Sequence, residues 1–250
     1  MRKKIVAGNW KMFKSPTETR DFFKDFNADV QIQTQLATTN KTSNEVIFFV
    51  PAYDLEAAIQ STQMTNIKIG AQNAFAKKEG AFTGENSPWA VKSIGAQYLL
   101  IGHSERRAIF GETNSQCLDK VNAALEAGLI PMLCVGETLA EREKNQTWSV
   151  VASQLDAVFS KINNASQVVV AYEPVWAIGT GKVATPEQAQ EVHKQIREHL
   201  KLEISILYGG SVKSENAATL ANQPDIDGFL VGGASLVPKD FSNIVKAIVM

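Results

Sequence analysis

The chain has 250 residues, 44% hydrophobic and 20% charged, which excludes a disordered or fibrous polypeptide. Its 25 basic and 26 acidic residues leave a formal net charge of −1, which argues against a general nucleic-acid binder or a polybasic membrane surface. Two cysteines, Cys117 and Cys134, form no CxxC pair or disulfide framework, so a reducing, cytoplasmic setting is expected. The basic residues Arg2, Lys3 and Lys4 precede too short an apolar run for an export signal, and no run reaches the ~18 residues of a membrane span.

Runs rich in Val, Ile and Leu predict strands at residues 4–9, 46–50, 67–71, 98–101, 129–135, 168–172, 204–208 and 228–231. Most are continuous rather than alternating, as in strands covered on both faces. Stretches with helical period lie between them, so the expected class is α/β with a parallel sheet. Helix starts are signed by Ser15-Pro16-Thr17-Glu18, by Ser87-Pro88 and by Thr185-Pro186-Glu187-Gln188. The first and last are capping boxes with proline at the first helical position. After Thr185, the residues Ala189, Val192, Ile196 and Leu200 form an apolar stripe at spacings of three and four. Residues 27–45, rich in Gln, Thr and Asn, are expected to extend the first helix and then loop to the second strand. An open doubly wound sheet also fits strand–helix alternation. Eight units within 250 residues favour one closed (β/α)8 barrel domain over residues 1–250, with eight parallel strands inside a ring of helices.

In a barrel the chemistry sits where strands end. The first strand ends Asn9-Trp10-Lys11, and a spacing of two puts Asn9 and Lys11 on one strand face. A lysine there can bind an anion as a point charge or, if desolvated, form a Schiff base. The fourth strand runs into Gly102-His103-Ser104-Glu105-Arg106-Arg107. A helix starting just after His103 would set its positive end against the ring and keep the imidazole neutral. The sixth strand ends Ala171-Tyr172-Glu173-Pro174, and the proline keeps Glu173 extended on the face of Val169 and Ala171. Against that apolar wall the carboxyl is expected to have a raised pKa, as suits a general base.

Next comes an apolar segment, residues 174–182, punctuated by proline and glycine as a lid moving between hinges would be. Its Gly181-Lys182 is no P-loop, because Trp176 stands where the first glycine belongs and Val183 replaces Ser or Thr. Gly209-Gly210 and Gly232-Gly233 follow the seventh and eighth strands, where barrels hold phosphate on backbone N–H groups. His193 and His199 fall on the helix after Thr185 and read as surface residues, and the three separated histidines offer no metal-ligand spacing. Cys134 reads as a packing residue.

Together, Asn9-Trp10-Lys11, the Gly102-His103-Ser104-Glu105-Arg106-Arg107 run, the stretch from Ala171-Tyr172-Glu173-Pro174 to Lys182, Tyr208-Gly209-Gly210-Ser211 and Gly228 through Gly232-Gly233-Ala234-Ser235-Leu236 resemble the triosephosphate isomerase family. The motifs follow the family's order over nearly the whole chain. The resemblance implies that Glu173 is the base moving a proton between C1 and C2 of a phosphorylated triose, in glycolysis and gluconeogenesis. Neutral His103 would donate to the carbonyl oxygens and the enediolate, Lys11 would supply positive charge, and Asn9 would help place the substrate. The phosphate would lie on backbone N–H groups of Gly179, Ser211, Gly232 and Gly233. Glu105 would partner His103 and Lys11, and Tyr208 would hold the closed lid through its hydroxyl. That lid would comprise Pro174, Val175, Trp176, Ala177, Ile178, Gly179, Thr180, Gly181 and Lys182. No cofactor or metal is implied, since the substrate's own carbonyl stabilises the carbanion.

Gly70-Ala71-Gln72-Asn73-Ala74 through Gly80-Ala81-Phe82-Thr83-Gly84-Glu85 also resembles the family's long third loop, which enters a second subunit. It implies a homodimer with contacts at Asn73, Thr83 and Glu85, with Thr83 near the other subunit's Asn9 and Lys11. Residues 27–45, Val50-Pro51-Ala52-Tyr53 and Asn86-Ser87-Pro88-Trp89 depart from the family pattern, away from the implied catalytic positions.

Overall fold

Runs of Val, Ile and Phe that are apolar on both faces need cover on both faces, and a closed parallel barrel supplies it. The computed structural model describes residues 2–29, 44–179 and 183–249. Its strands are β1 (Ile5–Asn9), β2 (Glu45–Val50), β3 (Lys68–Ala71), β4 (Tyr98–Ile101), β5 (Ile130–Val135), β6 (Val169–Tyr172), β7 (Ile206–Tyr208) and β8 (Gly228–Val231). Each pairs in parallel with its sequence neighbours, and β8 pairs with β1 to close the ring. Every predicted strand is present, with ends shifted by a residue or two. The seventh starts at Ile206 rather than residue 204. There the Ile204 carbonyl accepts from the Arg197 guanidinium at 2.7 Å instead of joining the ladder.

Side chains alternate across the barrel wall. Ile5, Ala7, Ile47, Phe49, Leu100, Met132, Cys134, Val169, Ala171, Leu207 and Leu230 fill the interior. Val6, Phe48, Val50, Leu99, Val170 and Phe229 instead face the helices. At the base of the barrel the Tyr98 hydroxyl donates to Glu45, which also takes the Lys3 ammonium at 2.9 Å.

The helices are α1 (Pro16–Asn27), α2 (Leu55–Thr62), α3 (Pro88–Ser93), α4 (Ser104–Phe110), α5 (Asn114–Glu126), α6 (Leu139–Glu143), α7 (Thr147–Phe159), α8 (Pro186–Leu200), α9 (Ser214–Ala221) and α10 (Pro238–Val249). The boxes at Ser15 and Thr185 form as read: each hydroxyl accepts from the backbone N–H three residues on, and each Glu or Gln accepts in return. Such a cap contributes about 1 kcal/mol. The start at Pro88 also holds, but the Ser87 hydroxyl is buried without a cap bond. From α1, Phe22, Phe23 and Phe26 pack edge-on against Phe48, and Phe22 against Trp10.

Two expectations need correction. α1 ends at Asn27 with Ala28 as its C-cap, so the expected extension does not form in residues 28–29; residues 30–43 lie outside the described residues. His193 is not a surface residue but fully buried. It borders the apolar stripe of α8 on the side that meets Tyr172 and Tyr208, so the barrel wall covers it. His199 is exposed, as read, and pairs with Asp156 at 2.7 Å. Among the described residues no helix is long and apolar enough to cross a membrane.

Candidate active site

The carboxyl ends of the strands gather most of the polar residues singled out in the sequence. Asn9 ends β1, buried, and Lys11 follows in a left-handed turn with φ 52°. The Lys11 N–H donates to the Asn9 side chain at 3.0 Å, the local bond that lets a non-glycine residue hold such a turn. The two residues therefore meet through this turn, not through strand alternation as expected. The Trp10 indole N–H donates to the Ser235 carbonyl at 3.0 Å, which ties this corner to the end of β8. A Cβ built at Gly232 would lie 3.7 Å from the Lys11 Cε, so Gly232 after β8 borders the lysine.

The Lys11 ammonium pairs with Glu105 at 2.5 Å. An ion-paired ammonium is a poor nucleophile, so the contact favours the point-charge role over a Schiff base. His103 caps α4. Its Nδ1 accepts the Glu105 N–H at 3.3 Å, and its Nε2 lies 2.9 Å from Glu173 Oε1. Nδ1 must be bare to accept, so Nε2 carries the proton and donates to the carboxylate. That is the neutral ring.

Glu173 follows β6 and is buried, in line with Val169 and Ala171, as read. Its second oxygen accepts the Ser104 N–H at 2.8 Å. Burial alone would raise its pKa, but His103, the Ser104 N–H and Lys11 together hold it below the ordinary carboxylate value. The expected rise is thus reversed, because the wall beside this carboxylate carries donors. Burial likewise opposes charge on His103, yet the touching Glu173 carboxylate outweighs it and draws the ring's pKa upward. Both shifts belong to the contact between the two side chains.

Glu173 is clamped by two glycines. A Cβ at Gly136 would collide with the Glu173 carbonyl, and one at Gly209 would lie 2.9 Å from its Cγ. Cys134 sits inside the barrel against Glu173, its thiol pKa pushed up chiefly by burial, in keeping with packing rather than nucleophilic work.

Three residues that hold this site escaped the sequence reading as site residues. Gln72, just past β3, donates to the Lys11 and Phe49 carbonyls at 2.9 and 3.0 Å. Ser104 contributes only its backbone. Glu137, two residues past β5, is fully buried and accepts from the Tyr172 hydroxyl at 3.0 Å and the Trp176 indole at 2.9 Å. The strand-end rule, applied to β3 and β5, selects Gln72 and Glu137; nothing in the residue type marks a backbone donor such as Ser104.

The segment expected to form a lid begins at Pro174, with a short helical turn over Val175–Ala177 and then Ile178. Gly179 is exposed at φ 68° with open space around it. Thr180, Gly181 and Lys182 lie outside the described residues. Tyr208 ends β7, buried, its hydroxyl so close to Gly210 that a Cβ there would collide with it. Ser211 follows directly, partly exposed. In the third loop Asn73 accepts from Lys120 at 2.7 Å, while Thr83 and Glu85 are exposed.

A profile of the family described as triosephosphate isomerase matches residues 4–248. A protein named triosephosphate isomerase from Bdellovibrio bacteriovorus is 55% identical over 248 residues, 98% of this chain and 99% of that protein. Proteins of the same name from Solibacter usitatus and Herminiimonas arsenicoxydans are 46% and 45% identical, over 98% and 99% of this chain and the full length of each relative. Identity at that level across nearly the whole barrel makes this chain a member of the triosephosphate isomerase family.

Proposed function

We propose that the protein interconverts dihydroxyacetone phosphate and D-glyceraldehyde 3-phosphate through an enediolate. The observation that carries this reading is the convergence of Lys11, His103 and Glu173 at the carboxyl mouth of the barrel, where Glu105 links Lys11 to His103 and His103 contacts Glu173. Family membership supports it independently.

In the forward direction Glu173 takes a proton from C1, the C–H pair forms the C1–C2 double bond, and the carbonyl oxygen becomes an oxyanion. The His103 Nε2–H and the Lys11 ammonium face that oxyanion, where fixed charge and dipole act most strongly. The hydroxyl proton passes from O1 to O2, and as the O1 pair forms the aldehyde carbonyl the C1–C2 π pair takes the proton back from Glu173 at C2. No cofactor is required, because the substrate carbonyl takes the electron pair. With both Glu173 oxygens occupied by His103 and the Ser104 N–H, the carboxylate must turn away from them to reach carbon. A substrate oxygen would then replace it at His103 Nε2, removing the larger of the two carboxylate pulls that raise the ring's pKa, so that burial and Lys11 favour the neutral form against Glu105 alone.

Asn9 places the substrate oxygens, and Glu105 holds Lys11. The phosphate lies on backbone N–H groups of Gly179, Ser211, Gly232 and Gly233. Residues 174–182 close over it, with Tyr208 as the latch. Closure matters because an exposed enediolate can expel its phosphate.

The same reading makes the protein a homodimer of the cytoplasm, serving glycolysis and gluconeogenesis. Met12 and Phe13, beside Lys11, are 86% and 54% exposed, and Phe82 of the third loop is 40% exposed, which is apolar surface that a partner's loop would cover. Two buried free thiols suit a reducing compartment. A coupled isomerase assay with 2-phosphoglycolate as inhibitor tests the activity, and well-folded protein without isomerisation overturns it. Borohydride trapping of a keto substrate on Lys11 would instead favour aldol chemistry, and light scattering tests the dimer.

A further inference from the structure

The tyrosines ending β6 and β7 each serve one end of the lid. The Tyr172 hydroxyl donates to Glu137, whose carboxylate takes the Trp176 indole at 2.9 Å and whose carbonyl takes the Val175 N–H at 3.1 Å. The Tyr208 hydroxyl lies against the Ala184 backbone N–H, just beyond the lid, but completes no hydrogen bond among the described residues.

His193 lies between the two rings, fully buried. Its centroid is 5.8 Å from Tyr172, at an interplanar angle of 83°, and 6.4 Å from Tyr208, at 44°. Its Nδ1 is 3.2 Å from the Asp225 carbonyl, which can only accept, so Nδ1 carries the proton. Its Nε2 is buried without a partner among the described residues. Burial brings the ring's pKa down to about 4, so the ring is neutral.

A buried acceptor left unpaired is destabilising, so packing alone does not account for an imidazole here. What the imidazole adds over a hydrocarbon ring is the bond to Asp225, which fixes its rotation between the tyrosines. The residue also rides on α8, whose cap Thr185 follows the lid by three positions.

We propose that His193 is a positioning residue for the lid: a wedge whose orientation, locked by Asp225, sets Tyr172 at the first hinge and Tyr208 at the second. The proposal rests on the closing lid of the activity proposed above. His193→Phe keeps a ring of similar size and removes the lock, whereas His193→Gln keeps an amide that can donate to Asp225. Ala189→Gly destabilises the same helix while leaving the His193 ring and its bond to Asp225 in place.

The readouts are the Kd of 2-phosphoglycolate and the inorganic phosphate released per isomerisation. Phosphate is lost when the enediolate pair forms a new double bond as the C–O bond breaks and its electrons leave with phosphate. His193→Phe should bind 2-phosphoglycolate about tenfold more weakly, equivalent to about 1.4 kcal/mol, and release more phosphate per turnover. His193→Gln should recover part of both effects, and Ala189→Gly should lose thermal stability while changing neither. Parent-like affinity and phosphate release in His193→Phe overturn the proposal, as does an equal shift in Ala189→Gly. Absence of isomerisation in the parent overturns the underlying activity instead.

Discussion

Gly209→Ala tests how closely the site holds its proposed base without replacing any reacting group. The backbone at Gly209 is outside the left-handed region, so alanine is permitted there. The new Cβ would lie 2.9 Å from the Glu173 Cγ and 3.2 Å from the Tyr172 carbonyl, whereas ordinary contact begins at 3.4 Å. Position 209 cannot easily retreat, because its N–H donates to that Tyr172 carbonyl at 2.7 Å. The Glu173 backbone is pinned as well, with its N–H on the Val135 carbonyl at 2.7 Å and Gly136 pressed against its other side. The side chain must therefore give way, with Cγ displaced by about 0.5 Å and the carboxylate beyond it by up to ~1 Å. Misplacing a catalytic group by about 1 Å costs on the order of 10²-fold. Turnover should fall about 10- to 100-fold with a smaller change in KM, and overpacking should cost about 1–3 kcal/mol of stability. A coupled assay, below the unfolding transition measured by circular dichroism, reads the effect. Turnover within about twofold of the parent in folded Gly209→Ala would refute the idea that the glycine clamp sets the base.

Glu173→Gln should lower turnover by about 10²–10⁴-fold while circular dichroism and melting stay near parental, because the amide can still accept the Ser104 N–H. Lys11→Ala should weaken both rate and 2-phosphoglycolate binding, the latter by about 1.5–3 kcal/mol as a charged hydrogen bond is lost; unchanged affinity in calorimetry would exclude its electrostatic role. Glu112 supplies a pH test. Burial raises its pKa, but Lys120 at 2.9 Å and Arg106 at 2.6 Å outweigh burial and hold it below the ordinary 4.5. A depressed folded pKa contributes stability above the unfolded value, and that stability is lost as pH falls through the folded one. Glu112→Gln should therefore cost about 3 kcal/mol in urea unfolding at pH 7, and the difference should shrink as pH drops below 4.5. A difference independent of pH would contradict the ion-pair account.

Much of this site is legible in the chain because its signals are local. Ser15 and Thr185 cap their helices through residues three positions away. Pro174 holds Glu173 extended, and the turn at Lys11 closes on Asn9 two positions back. Strand ends mark where such residues converge once a barrel is assumed. Gln72, Ser104 and Glu137 are harder to read because their partners lie 61, 69 and 39 positions away, at Lys11, Glu173 and Trp176.

By itself the sequence determined the order of strands and helices, the caps that start them and the polar residues set at the mouth. Periodicity, proline and capping act over a few residues and need no partner from elsewhere. Closure of the barrel decided the rest. It seated His193 between two tyrosines rather than on the surface, and it put donors beside Glu173 where an apolar wall alone would raise its pKa. Burial and electrostatics depend on which distant residues share a volume, and β8 must meet β1 before that volume exists.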